Sequence, residues 1–468
     1  NRLRQFLLNI KKFKFDKKNR VFLGFVAVVF LTLVYFLIPT AFNKNIIQTE
    51  IKNQIFQKYE INIKFNNKIS YNLFPKPNFS SKNVTVLNNE NEIAIVRNFK
   101  IFISFKNFFK INQINSLDLI IDKADFNVTK KDLNFFNNLM KIEPNKNKIV
   151  IKKSNVFFRD KDDEVLFINQ IKNSSIYFDL KNLENVFTSK NKVFNVPYKF
   201  TVRNNKLNEK LRFKLTSNKL VLKISNETDY SKQNNEGIFK ITFKNRNNLF
   251  SYKLRENRLN FDLKDTNKNY NGLLEFKPFY LESNFNYQAL KLKDFANAFL
   301  IEIFKSQIFN NQNLNANINF NVKKIYDFDR FSDLFLKLKI EQGKMIFSDS
   351  QIMWKENINL SLVDSLLNFD KEKITFNGKM LIAIKDQDEF YRSFQITKEL
   401  RKELKNIEFD FNYDFNENKI YFDNLRIDDN SNQNLERLIS KFNARDEKFF
   451  NKITFKTFVN KIFAAYFG

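Results

Sequence analysis

Cysteine and histidine are both absent from the 468 residues. Their absence removes disulfide frameworks, thiol nucleophiles, Cys/His zinc sites, His-ligated haem and Ser-His-Asp triads from the chemistry open to this chain. Glycine and proline are scarce, at six each. The glycines, at 24, 237, 272, 343, 378 and 468, stand too far apart to form a phosphate-cradling loop. Turns must therefore be made by Asn, Asp and Lys, and Asn suits the task because it tolerates left-handed backbone and hydrogen-bonds its own chain.

What is abundant is phenylalanine, 59 residues, within a hydrophobic content of 43%. Disordered chains lack such aromatic content, so this one folds or inserts into something. The formal charge is +28, from 79 basic and 51 acidic residues. Lys is enriched together with Asn, Ile and Phe along the whole length, and it is interspersed with Asp and Glu instead of gathered in a patch. That is the mark of compositional bias, and no nucleic-acid partner is expected.

One long uncharged run breaks the polar pattern. Val21 to Ile38 is 18 residues without charge, 14 of them Val, Leu, Ile or Phe, closed by Pro39. At about 1.5 Å per residue it covers ~27 Å, close to the ~30 Å hydrocarbon core of a bilayer. Residues 1–20 form a basic segment with eight Lys and Arg against Asp16 alone. By the positive-inside rule this segment stays cytoplasmic, residues 21–42 cross as a transmembrane helix, and the remainder is exported. Pro39-Thr40-Ala41 offers no good cleavage site, so a retained anchor is favoured over a signal peptide.

After the anchor, Ile47, Ile51, Ile55 and Tyr59 recur every four residues and predict an amphipathic helix beside the membrane. From about residue 61 the period becomes two: Phe99/Ile101/Ile103/Phe105, Leu259/Phe261/Leu263, Leu334/Leu336/Leu338/Ile340 and, most regularly, Ile407/Phe409/Phe411/Tyr413/Phe415. Such alternation predicts half-buried strands in antiparallel meanders. Helical spacing returns at 131–141, 291–308 and about 388–406, which sets soft boundaries near 140 and 285. It also returns in the tail 431–468, whose basic amphipathic stretch suits either a bilayer surface or a cap on the sheet. Four acids in Arg159 to Glu164 lack the glycine and distant Glu of a calcium loop, and read as a solvated hairpin turn.

Two segments carry a family likeness. The first joins anchor, amphipathic helix, the turn Tyr71-Asn72-Leu73-Phe74-Pro75-Lys76-Pro77, Val84-Thr85-Val86, the Phe99–Phe105 strand and Leu117-Asp118-Leu119-Ile120-Ile121. The second runs from Ala316 through Gly343-Lys344-Met345-Ile346-Phe347-Ser348-Asp349-Ser350 to strands ending near Ile427. Together they cover about half the chain, and in pattern and order they resemble the N- and C-terminal parts of AsmA-like proteins. The resemblance implies a bacterial inner-membrane, single-pass protein whose bulk is periplasmic, related to bridge-like lipid transfer proteins and tied to phospholipid traffic and outer-membrane homeostasis.

It divides the exported part into AsmA-like regions 43–285 and 286–430, followed by the tail 431–468. The expected fold is mainly β, an elongated antiparallel meander curled into an apolar groove, with a few amphipathic helices. Membrane lipids are the expected partners, with phospholipid acyl chains held on Phe99, Ile101, Ile103, Phe105, Phe409, Phe411 and Tyr413. No catalytic residue, metal or cofactor is implied, and envelope proteins stay open as further partners. The same alternation would equally build a closed core, as in a structural or assembly factor for envelope proteins, and periodicity alone does not separate the two.

Overall fold

The structure, a computed structural model, describes residues 17–88, 91–104, 108–109, 116–129, 132, 147–160, 163–229, 236–243, 246–255, 258–276, 279–291, 308, 311–328, 330–370, 373–444 and 452–468. It is mainly β, a long antiparallel meander with an apolar N-terminal helix and a few others. Two compact units compose it: residues 1–191 with 203–205, and 192–202 with 206–468. The division between them runs at residues 191–206, and the helices expected at 131–141 and 291–308 lie almost wholly outside the described residues.

Unit 1 begins with helix α1 (Lys17–Leu37) and a 3-10 turn (Ile38–Ala41) started by Pro39. Val21–Ala41 is long and apolar enough to cross a membrane; residues 21–34 are exposed, whereas Tyr35, Phe36 and Ile38 pack half-buried against the unit 1 core and Pro39 is buried. Helix α2 (Lys44–Tyr59) follows. The Asn43 side chain caps its N-terminus by accepting from the Asn45 N–H at 2.9 Å, and Glu60 ends it in the left-handed region.

The strands of unit 1 are β1 (Asn62–Phe65), β2 (Ser70–Asn72), β3 (Asn78–Asn88), β4 (Asn91–Ile103), β5 (Ser116–Val128), β6 (Ile149–Arg159), β7 (Val165–Asp179) and β8 (Glu184–Val193). Strands β1 and β2 pair end to end along one edge of β3, β1 with residues 84–87 and β2 with residues 78–80; β3–β4, β4–β5 and β6–β7 are antiparallel, and β5–β6 is parallel. The predicted stripe Ile47, Ile51, Ile55 and Tyr59 is buried to the last residue, and α2 lays it on the sheet beside Ile63, Val84, Val96, Phe99 and Ile101. The acidic stretch is a hairpin turn between β6 and β7: the Asp160 carboxylate accepts from the Glu164 N–H at 2.9 Å.

Unit 2 continues the meander from β9 (Val196–Asn205), which straddles the boundary. It proceeds through β10 (Lys210–Ser217), β11 (Leu222–Asp229), β12 (Glu236–Phe243), β13 (Arg246–Arg255), β14 (Arg258–Asp265), β15 (Lys268–Phe276) and β16 (Phe279–Leu290). Next come β17 (Leu314–Ile325), β18 (Phe331–Glu341), β19 (Lys344–Phe347), β20 (Ser350–Trp354), β21 (Ile358–Asp370) and β22 (Lys373–Ile384). Helix α3 (Gln387–Phe394), β23 (Asn406–Asp414), β24 (Lys419–Ile427), α4 (Gln433–Asn443) and α5 (Lys452–Phe467) complete it.

Strand β16 pairs parallel with β17, and the other pairs from β10 to β24 are antiparallel. A parallel pair needs a crossover to bring the chain back. The two parallel pairs, β5–β6 and β16–β17, are the two places where the long connections 129–148 and 291–313 supply one.

Turn chemistry follows composition. Glycine takes a left-handed turn position at Gly343, beside Gln342, whereas Asn195, Asn418, Asp349 and Asp429 take others.

Candidate functional site

The site is built from one face of β18 and β20–β24. On β23, Ile407, Phe409, Phe411 and Tyr413 alternate with polar residues. Register sets Phe409 opposite Met380 and Tyr413 opposite Phe376 on β22, and Phe411 opposite Phe422 on β24. One strand further, Leu360 and Leu362 of β21 stand opposite Ile382 and Met380, and Ile352 of β20 opposite Leu360. Each of these residues faces the same side as its partner, so the apolar surface crosses strand after strand without a polar step.

Gly378 sits on that face between Phe376 and Met380. A Cβ there would collide with Ser365, which β21 pushes inward at a bulge between Val363 and Leu366. Three such bulges, at Asp333, Asp364 and Asn424, carry positive φ on β18, β21 and β24 and disturb register there. Bulges bend a strand and add twist, which curls this part of the sheet.

Helices stand over the curled face. Phe390 and Phe394 of α3, Ile439 of α4 and Phe458, Val459, Ile462 and Phe463 of α5 point at it. Phe458 stacks on Phe422 with centroids 5.6 Å apart, and Trp354, the single tryptophan, meets Phe394 at 5.3 Å. The tail is thus a cap on the sheet, and its Phe463 is fully buried.

Between sheet and helices a cavity of about 970 Å³ remains. Its lining is overwhelmingly apolar; Phe409, Tyr413, Leu360, Leu362 and Met380 are half-buried, and Phe328 and Phe455 are exposed. The volume is at the upper end of the ~300–1,000 Å³ that small-molecule sites occupy. Burial, with the Asp414 carboxylate nearby, pushes the Tyr413 phenol up, so it stays protonated. On the opposite, wet face Lys379 donates to Glu408 at 2.8 Å, and that hydrogen bond holds the ammonium above its ordinary range.

No family model and no curated protein matches this chain.

The cavity has a long apolar approach within the same unit. Phe239 stacks on Phe250 at 5.0 Å, Phe250 on Tyr270 at 5.9 Å, Tyr270 meets Phe285 at 5.3 Å, and Phe285 meets Phe320 at 6.4 Å. Phe320 stands opposite Leu336, a wall of the cavity. Five of the six consecutive strands β12 to β17, all but β14, thus carry one ring ladder to its edge, and among the described residues no helical residue belongs to the cluster around it. The other face is an amide ladder: Asn319 donates to Asn284 at 2.8 Å, Asn284 to Asn271 at 3.1 Å, and Asn321 to Asn286 at 2.8 Å.

Of the residues expected to hold acyl chains, Phe409, Phe411 and Tyr413 line this cavity. Phe99, Ile101 and Ile103 do not border an open surface. They are at most 2% exposed, sealed in the unit 1 core that α2 covers. Phe105 lies outside the described residues. The walls from β18, β20 and β21 and the part of the roof from α3 are not singled out by the sequence, because the same alternation recurs on almost every strand and nothing local says which strands a helix will cover; the cap formed by the tail is one of its two expected placements.

Proposed function

We propose that this chain is a membrane-anchored lipid-binding and lipid-transfer protein of AsmA-like type. Its N-terminus is cytoplasmic and its body lies on the periplasmic side of a bacterial inner membrane, where it contributes to phospholipid traffic and outer-membrane homeostasis. The observation that carries the reading is the aromatic ladder from Phe239 to Phe320, which leads without a polar break into a half-open apolar cavity. Each methylene taken out of water contributes about 0.8 kcal/mol, so ten methylenes against such a surface contribute roughly 8 kcal/mol. A carrier needs that much to compete with a bilayer.

The sealed core of unit 1 supports a second reading, an assembly factor for envelope proteins, for which the cavity would be incidental. Lipid extraction and native mass spectrometry of the purified chain separate the two. Stoichiometric phospholipid retained through delipidating washes is the expected result. A lipid-free protein that also takes up no acyl-chain probe ends the lipid reading.

A further inference from the structure

The charged side chains among the cavity's lining are Arg330 and Lys456, both cationic. Neither has a carboxylate partner among the described residues. Their neighbour Lys355, by contrast, is already satisfied: it lies 3.4 Å from Glu389 and donates to Ser393 Oγ at 2.7 Å. Glu389 in turn accepts from Asn357 at 2.9 Å, so this acid is shared between Lys355 and Asn357.

Arg330 and Lys456, which have no carboxylate partner among the described residues, belong to one rim. Arg330 immediately precedes Phe331, which stands opposite Trp354; Trp354 meets Phe394 at 5.3 Å, and Phe394 meets Phe455, the residue before Lys456, at 5.7 Å. Arg330 is exposed and Lys456 half-exposed, while the interior between sheet and α5 is Phe, Leu and Ile. Greasy depth with positive charge at the edge is the complement of an amphiphile with a hydrocarbon tail and an anionic head.

We infer that the cavity selects amphiphiles with an anionic head, the tail lying along Phe409 and Leu360 and the carboxylate or phosphate held between Arg330 and Lys456. This rests on the lipid-binding reading and adds head-group charge as the criterion of choice. Uncharged amphiphiles would enter with the same tail contacts and leave the two cations in solvent.

Trp354, the only tryptophan and part of the wall, reports on the test. The full chain in a neutral maltoside detergent is titrated with 9,10-dibromostearate at alkaline pH, and separately with its methyl ester, and quenching of Trp354 is read. Both carry the same bromines, and only one carries charge. Dibromostearate is expected to half-quench at a concentration about five- to tenfold below the ester. In the double variant Arg330→Gln/Lys456→Gln that ratio falls to about one, while ester quenching and the circular dichroism spectrum stay unchanged. Equal quenching by acid and ester in the wild type overturns the head-group inference and leaves lipid binding standing. No quenching by either removes the lipid reading itself. Millimolar inorganic phosphate is expected not to restore Trp354 emission; if it does, the rim is an anion site independent of any tail, and the inference fails.

Discussion

Phe422 and Leu425 stand three residues apart on β24, yet both face the cavity. In a regular strand residues two apart share a face and residues three apart do not. Asn424, with φ 51°, absorbs the difference: the register between β23 and β24 shifts opposite Glu408 and Asp410, and the Asn424 amide donates to Asp410 at 2.6 Å. A β-branched residue cannot take that backbone without strain of about 1–2 kcal/mol, whereas glycine can. Asn424→Val is therefore expected to lower stability by about 1–2 kcal/mol, and Asn424→Gly by less than about 1 kcal/mol. Urea unfolding measures both; equal losses would mean the bulge is not what the asparagine provides.

Filling the cavity should separate function from folding. Leu360 and Ile382 face each other across β21 and β22 and are only half-buried, so a larger ring at either meets open space before it meets packed atoms. Leu360→Trp and Ile382→Trp are expected to reduce co-purifying lipid several-fold with a melting temperature close to wild type. Retention of full lipid content by both would place the tail elsewhere.

The opposite outcome is expected in unit 1. Ile101 is 0% exposed and Ile55 of α2 likewise, within a core that the protein's own side chains fill. Ile101→Ala and Ile55→Ala are each expected to cost about 2–5 kcal/mol and to leave the lipid bound per folded molecule unchanged. Quantitative lipid extraction on the refolded, size-selected fraction checks the second half of that expectation.

Much of this fold was legible because period-two alternation and the four-residue stripe of α2 are direct consequences of which side must be dry. The class of the fold, the helix Lys44–Tyr59 and the turn at Asp160 to Glu164 all follow from it. Closed core and open cavity share one alternation, which is why Phe99 and Phe409 looked alike and differ only in what stands over them: α2 in one unit, empty space under α5 in the other. The curvature did leave a local signal. Where a strand residue takes positive φ, the phase of the buried residues flips, from Leu119 and Ile121 to Ala124 and Phe126 around Lys123 on β5, and from Phe422 to Leu425 around Asn424 on β24. Reading such flips as left-handed kinks locates these positions in both units from the amino acids alone.

The anchor makes a quantitative prediction. Phe30 and Leu31 lie at the middle of Val21–Ala41, and both are about two-thirds exposed, at 64% and 65%. The 14 Val, Leu, Ile and Phe residues of the run supply an insertion drive of roughly 4–8 kcal/mol, and each arginine at a helix centre costs about 2.5–3.5 kcal/mol. Phe30→Arg/Leu31→Arg together offset most or all of that drive. The double variant is expected in the soluble fraction after carbonate extraction, where the wild type stays with the membrane; a variant that remains membrane-bound would assign attachment to another surface.

Glu389 should make the rim sensitive to acid. The hydrogen bond from Asn357 holds its carboxyl below the ordinary carboxylate range, burial works against that, and Lys355 reinforces it. A depressed folded-state value means that the stabilising contribution is complete above the unfolded value of about 4.3 and is lost as pH falls through the lower, folded one. Glu389→Gln is thus expected to melt below wild type at neutral pH, with the gap narrowing as the pH drops below about 4. The same substitution removes the carboxylate beside the Lys355 ammonium, which keeps its bond to Ser393 and sits 5.8 Å above the Trp354 ring at the cavity wall. In the variant a third cation without a carboxylate partner joins Arg330 and Lys456, so binding of dibromostearate relative to its methyl ester should strengthen even as stability declines. Melting curves from pH 3 to 7 and the Trp354 titration check the two halves separately; a variant that loses stability and also loses preference for the anionic ligand would show that Glu389 shapes the rim and does not merely neutralise it.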